Sequence, residues 1–132
     1  MSAILSRAVA LVAMAAYGLL PMAASAVGIQ AYTKQAFAAA QDAGKPVLVE
    51  IHADWCPTCK AQAPILGKLS AERAFAGLVR LRVDFDTQKD VLKQFKVRQQ
   101  STLVLFRGKT EVARSTGETD EVKIKAMLQK AV

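Results

Sequence analysis

The stretch Val47–Lys60 reads VLVEIHADWCPTCK and joins three kinds of local sequence. It begins with the nearly continuous apolar run Val47–Ile51, which is typical of a strand buried on both faces. A short turn follows, and Cys56 then opens a helical pattern that extends to about Ala71. Pro57 suits the first turn of this helix, where its missing N–H costs nothing. The stretch therefore predicts a strand, a turn and a helix that begins at a cysteine.

Cys56 and Cys59, the only cysteines of the chain, fall on one side of the first helical turn. The start of a helix carries a partial positive charge, which favours a thiolate over a thiol. We therefore expect Cys56 to be an exposed attacking thiolate and Cys59 to be the more buried thiol that resolves a mixed disulfide. A bridge between them closes too short a loop to stabilise the fold much, which favours a redox role over a structural one.

A metal site is the alternative interpretation of this cysteine spacing, which zinc proteins also use. The sequence contains one histidine, His52, and no second cysteine pair. Because His52 follows Glu50 by two residues, both side chains should project from one face of the strand. A structural zinc site lacks ligands, whereas a copper chaperone-like protein that uses Cys56, Cys59 and His52 stays open as an alternative.

The remainder of the chain alternates helical and strand patterns. The predicted elements are a short strand at 29–32, a helix from Thr33 or Lys34 to Ala43, a strand at 78–83, a helix opened by a cap at Thr87, strands at 102–106 and 110–115, and a last helix capped by Thr119 or Asp120 with Val122 on its apolar face. This order predicts an α/β fold with a central mixed sheet of four to five strands and helices on both faces.

Residues 1–26 have the pattern of a secretory signal peptide. Arg7 is their only charged residue, an apolar stretch of about 13 residues follows, and Ala24-Ser25-Ala26 resembles a cleavage site. The stretch is shorter than the roughly 20 residues that span a bilayer. We expect cleavage after Ala26, export to the periplasm and a single domain at 27–132. The alternative is an uncleaved anchor that leaves the domain facing the periplasm.

The formal net charge is +7, which becomes about +6 when Arg7 is removed with the signal peptide (7 − 1). The basic residues are scattered along the chain without interleaved aromatic residues, which argues against nucleic-acid binding. We expect a basic, solvated surface and a monomer.

The segment Val47–Pro64 resembles the thioredoxin family: an apolar strand, an acid, the W-C-x-x-C-K motif, and a proline five residues beyond the second cysteine. The resemblance continues through Arg80–Asp84, Val97–Phe106 and Gly117, and A-D-W-C is particularly similar to exported members. It implies a thioredoxin fold and a thiol–disulfide oxidoreductase acting outside the cytoplasm on protein or peptide substrates, with a preference for reduction. The Cys56–Cys59 disulfide would be redox-active without another cofactor, and a partner redox protein would exchange electrons with it.

The resemblance also implies roles for the side chains around the cysteines. Glu50 stands where the family carries a buried acid, which would accept the proton of Cys59. The alternative is that Glu50 only pairs with Arg80 on the neighbouring strand. Trp55 would shield the disulfide and contact substrates. The family usually carries an aromatic ring where this chain has His52, and the simplest role of His52 is to pack in the place of that ring.

Two positions depart from the family pattern. Pro57-Thr58 separates the cysteines where cytoplasmic thioredoxins have Gly-Pro, which changes the reduction potential. Ser101 occupies the position of a cis-proline, in a loop that presents backbone groups to the substrate. A cis bond before a non-proline residue costs about 3 kcal/mol more than trans, so either Ser101 carries that cost or the loop has another shape; the absent proline also strengthens the metal alternative. The predicted substrate-binding residues are Trp55, Pro57, Thr58, Gln100, Ser101 and Thr102.

Overall fold

The computed structural model describes residues 28–132, in which strands and helices alternate in the predicted order. The elements are β1 (Ile29–Ala31), α1 (Lys34–Asp42), β2 (Pro46–His52), α2 (Pro57–Ser70), β3 (Val79–Asp84), α3 (Lys89–Gln94), β4 (Thr102–Arg107), β5 (Thr110–Thr116) and α4 (Glu121–Leu128). Short 3-10 turns follow α2 at Arg73–Phe75 and α4 at Gln129–Ala131. The predicted signal peptide lies outside the described residues.

The five strands form one mixed sheet in the order β1-β3-β2-β4-β5. β3 runs parallel to both β1 and β2, whereas β4 is antiparallel to β2 and to β5. The apolar strand β2 occupies the centre, where both of its faces are covered, as its sequence predicts. The chain therefore leaves the middle of the sheet where β2 ends, and the two cysteines follow directly.

Side chains of β2 alternate between two cores. Val47, Val49 and Ile51 pack on one face into a cluster with aromatic rings from α1, α3 and β4, among them Phe37, whose ring centroid lies 5.1 Å from that of Phe106. Leu48 lies on the opposite face, in a core that combines Phe75 with aliphatic residues of α2, β4 and α4. The even-numbered residues of β2 therefore face α2, the helix that carries the cysteines.

Two helices end in the same left-handed turn, once with glycine and once with lysine. After α1, Gly44 has a φ of 67°, and after α3, Lys96 has a φ of 54°. In both turns the amides of the left-handed residue and of the residue after it bond back to the last helical turn, for example Lys96 N to Lys93 O at 3.1 Å and Val97 N to Leu92 O at 2.9 Å, which is the Schellman arrangement. A lysine at this position was not predicted, since a left-handed conformation favours glycine.

Two details of the helix predictions are wrong. Thr87 does not cap α3, which begins at Lys89 without a side-chain cap. The side chain of the preceding residue, Gln88, makes other contacts. It accepts a hydrogen bond from Asp84 N and donates one to Tyr32 O, directly after β1. Val122 is 76% exposed rather than part of the apolar face of α4, because it lies in the first turn beside the Asp120 cap.

Within residues 28–132, none of the helices combines the length and the apolar character that crossing a bilayer would need.

Candidate active site

Cys56 is the N-cap of α2. Its backbone is extended, with φ −82° and ψ 111°, and its Sγ accepts a hydrogen bond from Cys59 N at 3.1 Å. Pro57 follows at the first helical position, as predicted. The Cys56 sulfur thus takes the place that a serine or aspartate oxygen takes at most helix starts. It lies at the partial positive charge of the helix start and accepts one of the amide hydrogens that have no partner within the helix.

Both cysteine thiols are buried in this conformation, Cys56 at 1% exposed and Cys59 at 3%. The expectation of an exposed Cys56 is therefore wrong. Its capping bond turns the sulfur toward the helix, and the two cysteines pack with Ala53 and against Phe85. The two cysteines therefore do not differ in burial as expected. They do differ in their contacts, because the Cys56 sulfur caps α2 and accepts a hydrogen bond from Cys59 N.

Cys59 differs from Cys56 in its proton affinity. Burial raises the pKa of the Cys59 thiol, and its contact with the Cys56 sulfur raises it further, whereas hydrogen bonds with the backbone of Ala53 and Ser101 act in the opposite direction. The Ile51 carbonyl also lies 3.9 Å from Cys59 Sγ. A thiol with a raised pKa must lose its proton before it can attack a disulfide. The site therefore needs a group that receives this proton.

Glu50 is buried and forms a bidentate ion pair with Arg80. Arg80 Nε donates to Glu50 Oε1 at 2.6 Å, and the second guanidinium nitrogen donates to Oε2 at 3.2 Å. A third nitrogen of Arg80 donates to Ser70 Oγ at 3.2 Å. The predicted pairing of Glu50 with Arg80 is confirmed. The role of Glu50 as proton acceptor stays a prediction, and it would require Glu50 to give up part of this pairing.

A small cavity lies between α2 and the sheet, directly beneath Cys59. It has about 10 Å³ of room for the centre of a water molecule, enough for about one. Among its lining residues are Glu50 and His52 from β2, Gln62 from α2 and Arg82 from β3. Arg82 Nε is buried and has no hydrogen-bond partner among the described residues. The cavity therefore brings a free donor, a carboxylate, an imidazole and a thiol together.

His52 lies at the outer side of this cavity. Its side chain is 17% exposed, and its Nε2 lies 3.1 Å from Oδ1 of the fully exposed Asp54. Nowhere in residues 28–132 do three or more histidine, cysteine, aspartate or glutamate side chains converge as a metal site would require. The copper alternative therefore gains no support from the arrangement of His52, Cys56 and Cys59.

Ser101 faces the cysteines with a trans peptide bond and a left-handed backbone. Its φ is 58°, and no peptide bond within residues 28–132 is cis. The loop therefore has a different shape and does not carry the cost of a cis bond before Ser101. Ser101 N donates to Ile51 O at 2.8 Å, and Ser101 O accepts from Gly117 N at 3.0 Å. Because a proline has no N–H, this bond to β2 is available only to a residue such as serine.

Gln62 is a site residue that the sequence did not single out. It is buried, and its Nε2 donates both to Ser101 O at 3.1 Å and to Glu118 O at 2.9 Å. It thereby ties α2 to the loop before β4 and to the loop after β5. The sign of this role in the sequence is that a polar glutamine stands among the small and apolar residues of α2.

The predicted substrate-binding residues divide into exposed and buried ones. Trp55 is 56% exposed, is held by a 2.9 Å bond from Nε1 to Asp86, and has the exposed Pro57 beside it. Thr58 and Gln100 are half-buried, whereas Ser101 and Thr102 are buried. The Ser101 backbone groups are engaged internally. Of the predicted substrate-binding residues, Trp55 and Pro57 are therefore the ones exposed at the surface.

The sequence family follows from comparison with known proteins. A family model described as Thioredoxin matches residues 28–130. This chain belongs to the thioredoxin family. The thioredoxin fold predicted from the sequence is confirmed, and so is the class of enzyme, a thioredoxin-like protein-disulfide oxidoreductase.

Individual thioredoxins align with most of the described chain. Thioredoxin C-2 of Corynebacterium nephridii is 35% identical over 92 residues, which is 69% of this chain and 83% of that protein. The thioredoxin of Chlamydia muridarum is 36% identical over 84 residues, 64% of this chain and 80% of its own length. Among solved structures, Trxlp from Edwardsiella tarda is 48% identical with a TM-score of 0.75, and the match covers 76% of this chain and 98% of that one.

Proposed function

We propose that this thioredoxin reduces disulfides of protein or peptide substrates outside the cytoplasm through its Cys56-Pro57-Thr58-Cys59 site. The observation that carries the proposal is the position of Cys56 Sγ at the N-cap of α2, 3.1 Å from Cys59 N. In this position the Cys56 sulfur accepts a hydrogen bond from the start of the helix, while burial raises the pKa of the Cys59 thiol. One thiol is thereby prepared to attack first and the other to act second.

The reaction proceeds in two exchanges. The Cys56 thiolate attacks one sulfur of the substrate disulfide, and the other substrate sulfur leaves as a thiolate. Cys59 then loses its proton and attacks Cys56, which releases the second substrate thiolate and forms the Cys56–Cys59 disulfide. The substrate has gained two electrons, and a partner redox protein returns two electrons to the cysteines. No organic cofactor takes part.

The substrate approaches over the exposed surface of Trp55 and Pro57, with Thr58 and Gln100 at its border. Trp55 gives an apolar platform that its bond to Asp86 holds in place. Because both cysteine sulfurs are buried in this conformation, Cys56 becomes reachable when its capping bond opens. The buried Ser101 and Thr102 shape the opposite wall through their backbone.

A trapping experiment tests the order of attack. The C59S variant should accumulate a mixed disulfide between Cys56 and a disulfide-containing peptide, because the resolving thiol is missing. The matched C56S variant should accumulate none. Mass spectrometry of the two adducts distinguishes them. Equal trapping by both variants, or trapping through Cys59 alone, would contradict the assignment of the nucleophile.

The reduction potential of the cysteine pair tests the direction of electron flow. A reductant should have a value near about −270 mV, whereas a value near about −120 mV marks an oxidant. Equilibration of the protein with glutathione or dithiothreitol buffers measures it. An oxidising value would overturn the reductase proposal but leave disulfide exchange itself intact.

Export is proposed from residues 1–26, with cleavage after Ala26. Expression of the whole chain in a bacterium, followed by fractionation and sequencing of the N-terminus, tests it. The expected product is periplasmic and begins at Val27. A product that keeps Met1 and stays with the membrane would support the anchored alternative, and one found in the cytosol would contradict both.

A further inference from the structure

The proposed function leaves one chemical requirement open, which is the destination of the proton that Cys59 releases. Glu50 is the carboxylate among the residues that line the cavity. Both of its oxygens, however, accept hydrogen bonds from Arg80. The Arg80 guanidinium also donates to Ser70 Oγ, so it is fixed from two sides. Protonating Glu50 would weaken a buried bidentate ion pair, which is costly in the protein interior.

Besides Glu50, His52 is the side chain lining the cavity that can accept a proton from a thiol. It projects from the same face of β2 as Glu50 and meets the cavity that also contains Cys59. Its 17% exposed side chain reaches solvent on the opposite side. His52 is therefore in contact with both the buried site and the surface, whereas Glu50 is enclosed.

The hydrogen bond to Asp54 defines which nitrogen of His52 is available. A carboxylate can only accept, so the His52 nitrogen 3.1 Å from Asp54 Oδ1, which is Nε2, carries a hydrogen when this bond is made. In a neutral imidazole, Nδ1 is then the basic nitrogen. Asp54 also stabilises the cation that forms when Nδ1 takes a proton.

We propose that His52 is the proton acceptor for Cys59, with the proton carried across the cavity by a water held on Arg82 Nε. The inference rests on the proposed disulfide exchange and adds an acid–base residue to it. Arg82 Nε is a buried donor without a partner among the described residues, and it borders a cavity that has room for about one water. A donor in this place occupies one lone pair of the water and leaves the other to accept the proton of the thiol.

The step balances without a further reagent. The Cys59 S–H bond breaks, its proton reaches His52 Nδ1 through the water, and the sulfur keeps the electron pair. That pair forms the Cys56–Cys59 bond as the bond from Cys56 to the substrate sulfur breaks. The substrate leaves as a thiolate, and His52 later releases its proton to solvent on the Asp54 side.

The titratable and charged groups around His52 come from four parts of the fold. They are Glu50 on β2, Asp54 in the turn after β2, Cys59 on α2, and Arg82 and Asp84 on β3, the last being the register partner of His52. Because His52 accepts a proton only when it is neutral, resolution by Cys59 should be slow at low pH. It should rise with pH and then level off, because a base that is already neutral gains no further capacity to accept the proton.

The test follows the two steps separately with 5,5′-dithiobis(2-nitrobenzoate). With the full-length reduced protein in excess, the first thionitrobenzoate is released by Cys56 and the second by Cys59. The second phase of the unmodified protein should rise with pH and reach a plateau. In H52F, which keeps an aromatic ring, we expect this phase to fall about 100-fold at pH 7 and to rise with pH without a plateau. The first phase should stay unchanged.

Two control variants distinguish His52 from Glu50 as the proton acceptor. H52Q replaces H52F if the latter does not fold, as judged by its urea midpoint, and should show the same loss. The E50Q/R80Q pair, which removes Glu50 without leaving a buried charge, should keep the plateau. If the His52 variants keep the plateau and the E50Q/R80Q variant loses it, the proton goes to Glu50 and the proposal is overturned. If the unmodified protein releases no thionitrobenzoate in either phase, the proposed disulfide exchange itself fails.

Discussion

Removal of Arg80 should destabilise the fold strongly, because it leaves Glu50 as an uncompensated buried charge. Glu50 is 5% exposed and Arg80 6%, and two hydrogen bonds join them. Breaking a buried pair by removing one partner costs about 3–5 kcal/mol. A domain of this size is stable by only about 5–15 kcal/mol, so R80M should lose a large fraction of its free energy of unfolding.

Urea unfolding followed by circular dichroism measures this loss. With a slope of about 2 kcal/mol per molar urea, a loss of about 4 kcal/mol lowers the midpoint by about 2 M. The loss should shrink as the pH is lowered toward the range where carboxyl groups protonate, because a neutral Glu50 no longer needs its partner. In native R80M, Glu50 should keep its proton to a higher pH than it does in the unfolded chain. The stability of R80M should therefore fall as pH rises.

The double variant E50L/R80M is the control. It buries neither charge, and such apolar replacements of buried pairs are often neutral or stabilising. We expect its midpoint to lie within about 0.5 M of that of the unmodified protein, at the same assumed slope. A loss below about 1 kcal/mol in R80M, or a double variant as unstable as R80M, would refute the reasoning from the buried charge.

Three further predictions address other contacts. K96G should stabilise the fold by about 1 kcal/mol because it relieves a left-handed φ, and G44A, at the matching turn, should cost about as much; urea midpoints that do not move in opposite directions would contradict this. Q62L should cost about 1 kcal/mol and shift the amide resonance of Ser101, because the Glu118 carbonyl loses its Gln62 donor and the Ser101 carbonyl keeps only Gly117 N; an unshifted resonance would count against the contact between Gln62 and the Ser101 loop. Under reducing conditions, the free energy of unfolding should fall as pH rises above about 8.5, because burial raises the pKa of Cys59 and the unfolded chain releases that proton first. C59A should remove this pH dependence of the free energy of unfolding. An equal pH dependence in C59A would exclude Cys59 as its source.

The fold was predictable because its signals are local and repeated. The apolar run of β2 and the glycine after α1 each follow from composition over a few residues. The resemblance to thioredoxins then ordered these elements into one sheet. Lys96 escaped prediction because a left-handed lysine is stabilised by the two backbone hydrogen bonds of its turn, and its own side-chain chemistry gives no sign of them.

The candidate site was only partly predictable. The sequence placed Cys56 at a helix start, and the partnership of Glu50 with Arg80 followed from neighbouring strands. It did not reveal that Cys56 is buried, because the capping bond that turns the sulfur inward depends on the exact backbone angles. It also could not show that Gln62 reaches the Ser101 loop, a contact between residues 39 positions apart that only the packing of α2 on the sheet creates.

The double role of Cys56 links redox state to helix stability. A side chain at an N-cap contributes about 1 kcal/mol to its helix, and a thiolate accepts the amide hydrogen more strongly than a disulfide sulfur does. About 1 kcal/mol corresponds to about 20 mV in a two-electron couple. The first turn of α2 thus holds part of the energy difference between the two oxidation states. Substitutions that strengthen or loosen this turn, even those far from the sulfurs, would therefore adjust the reducing power of the protein.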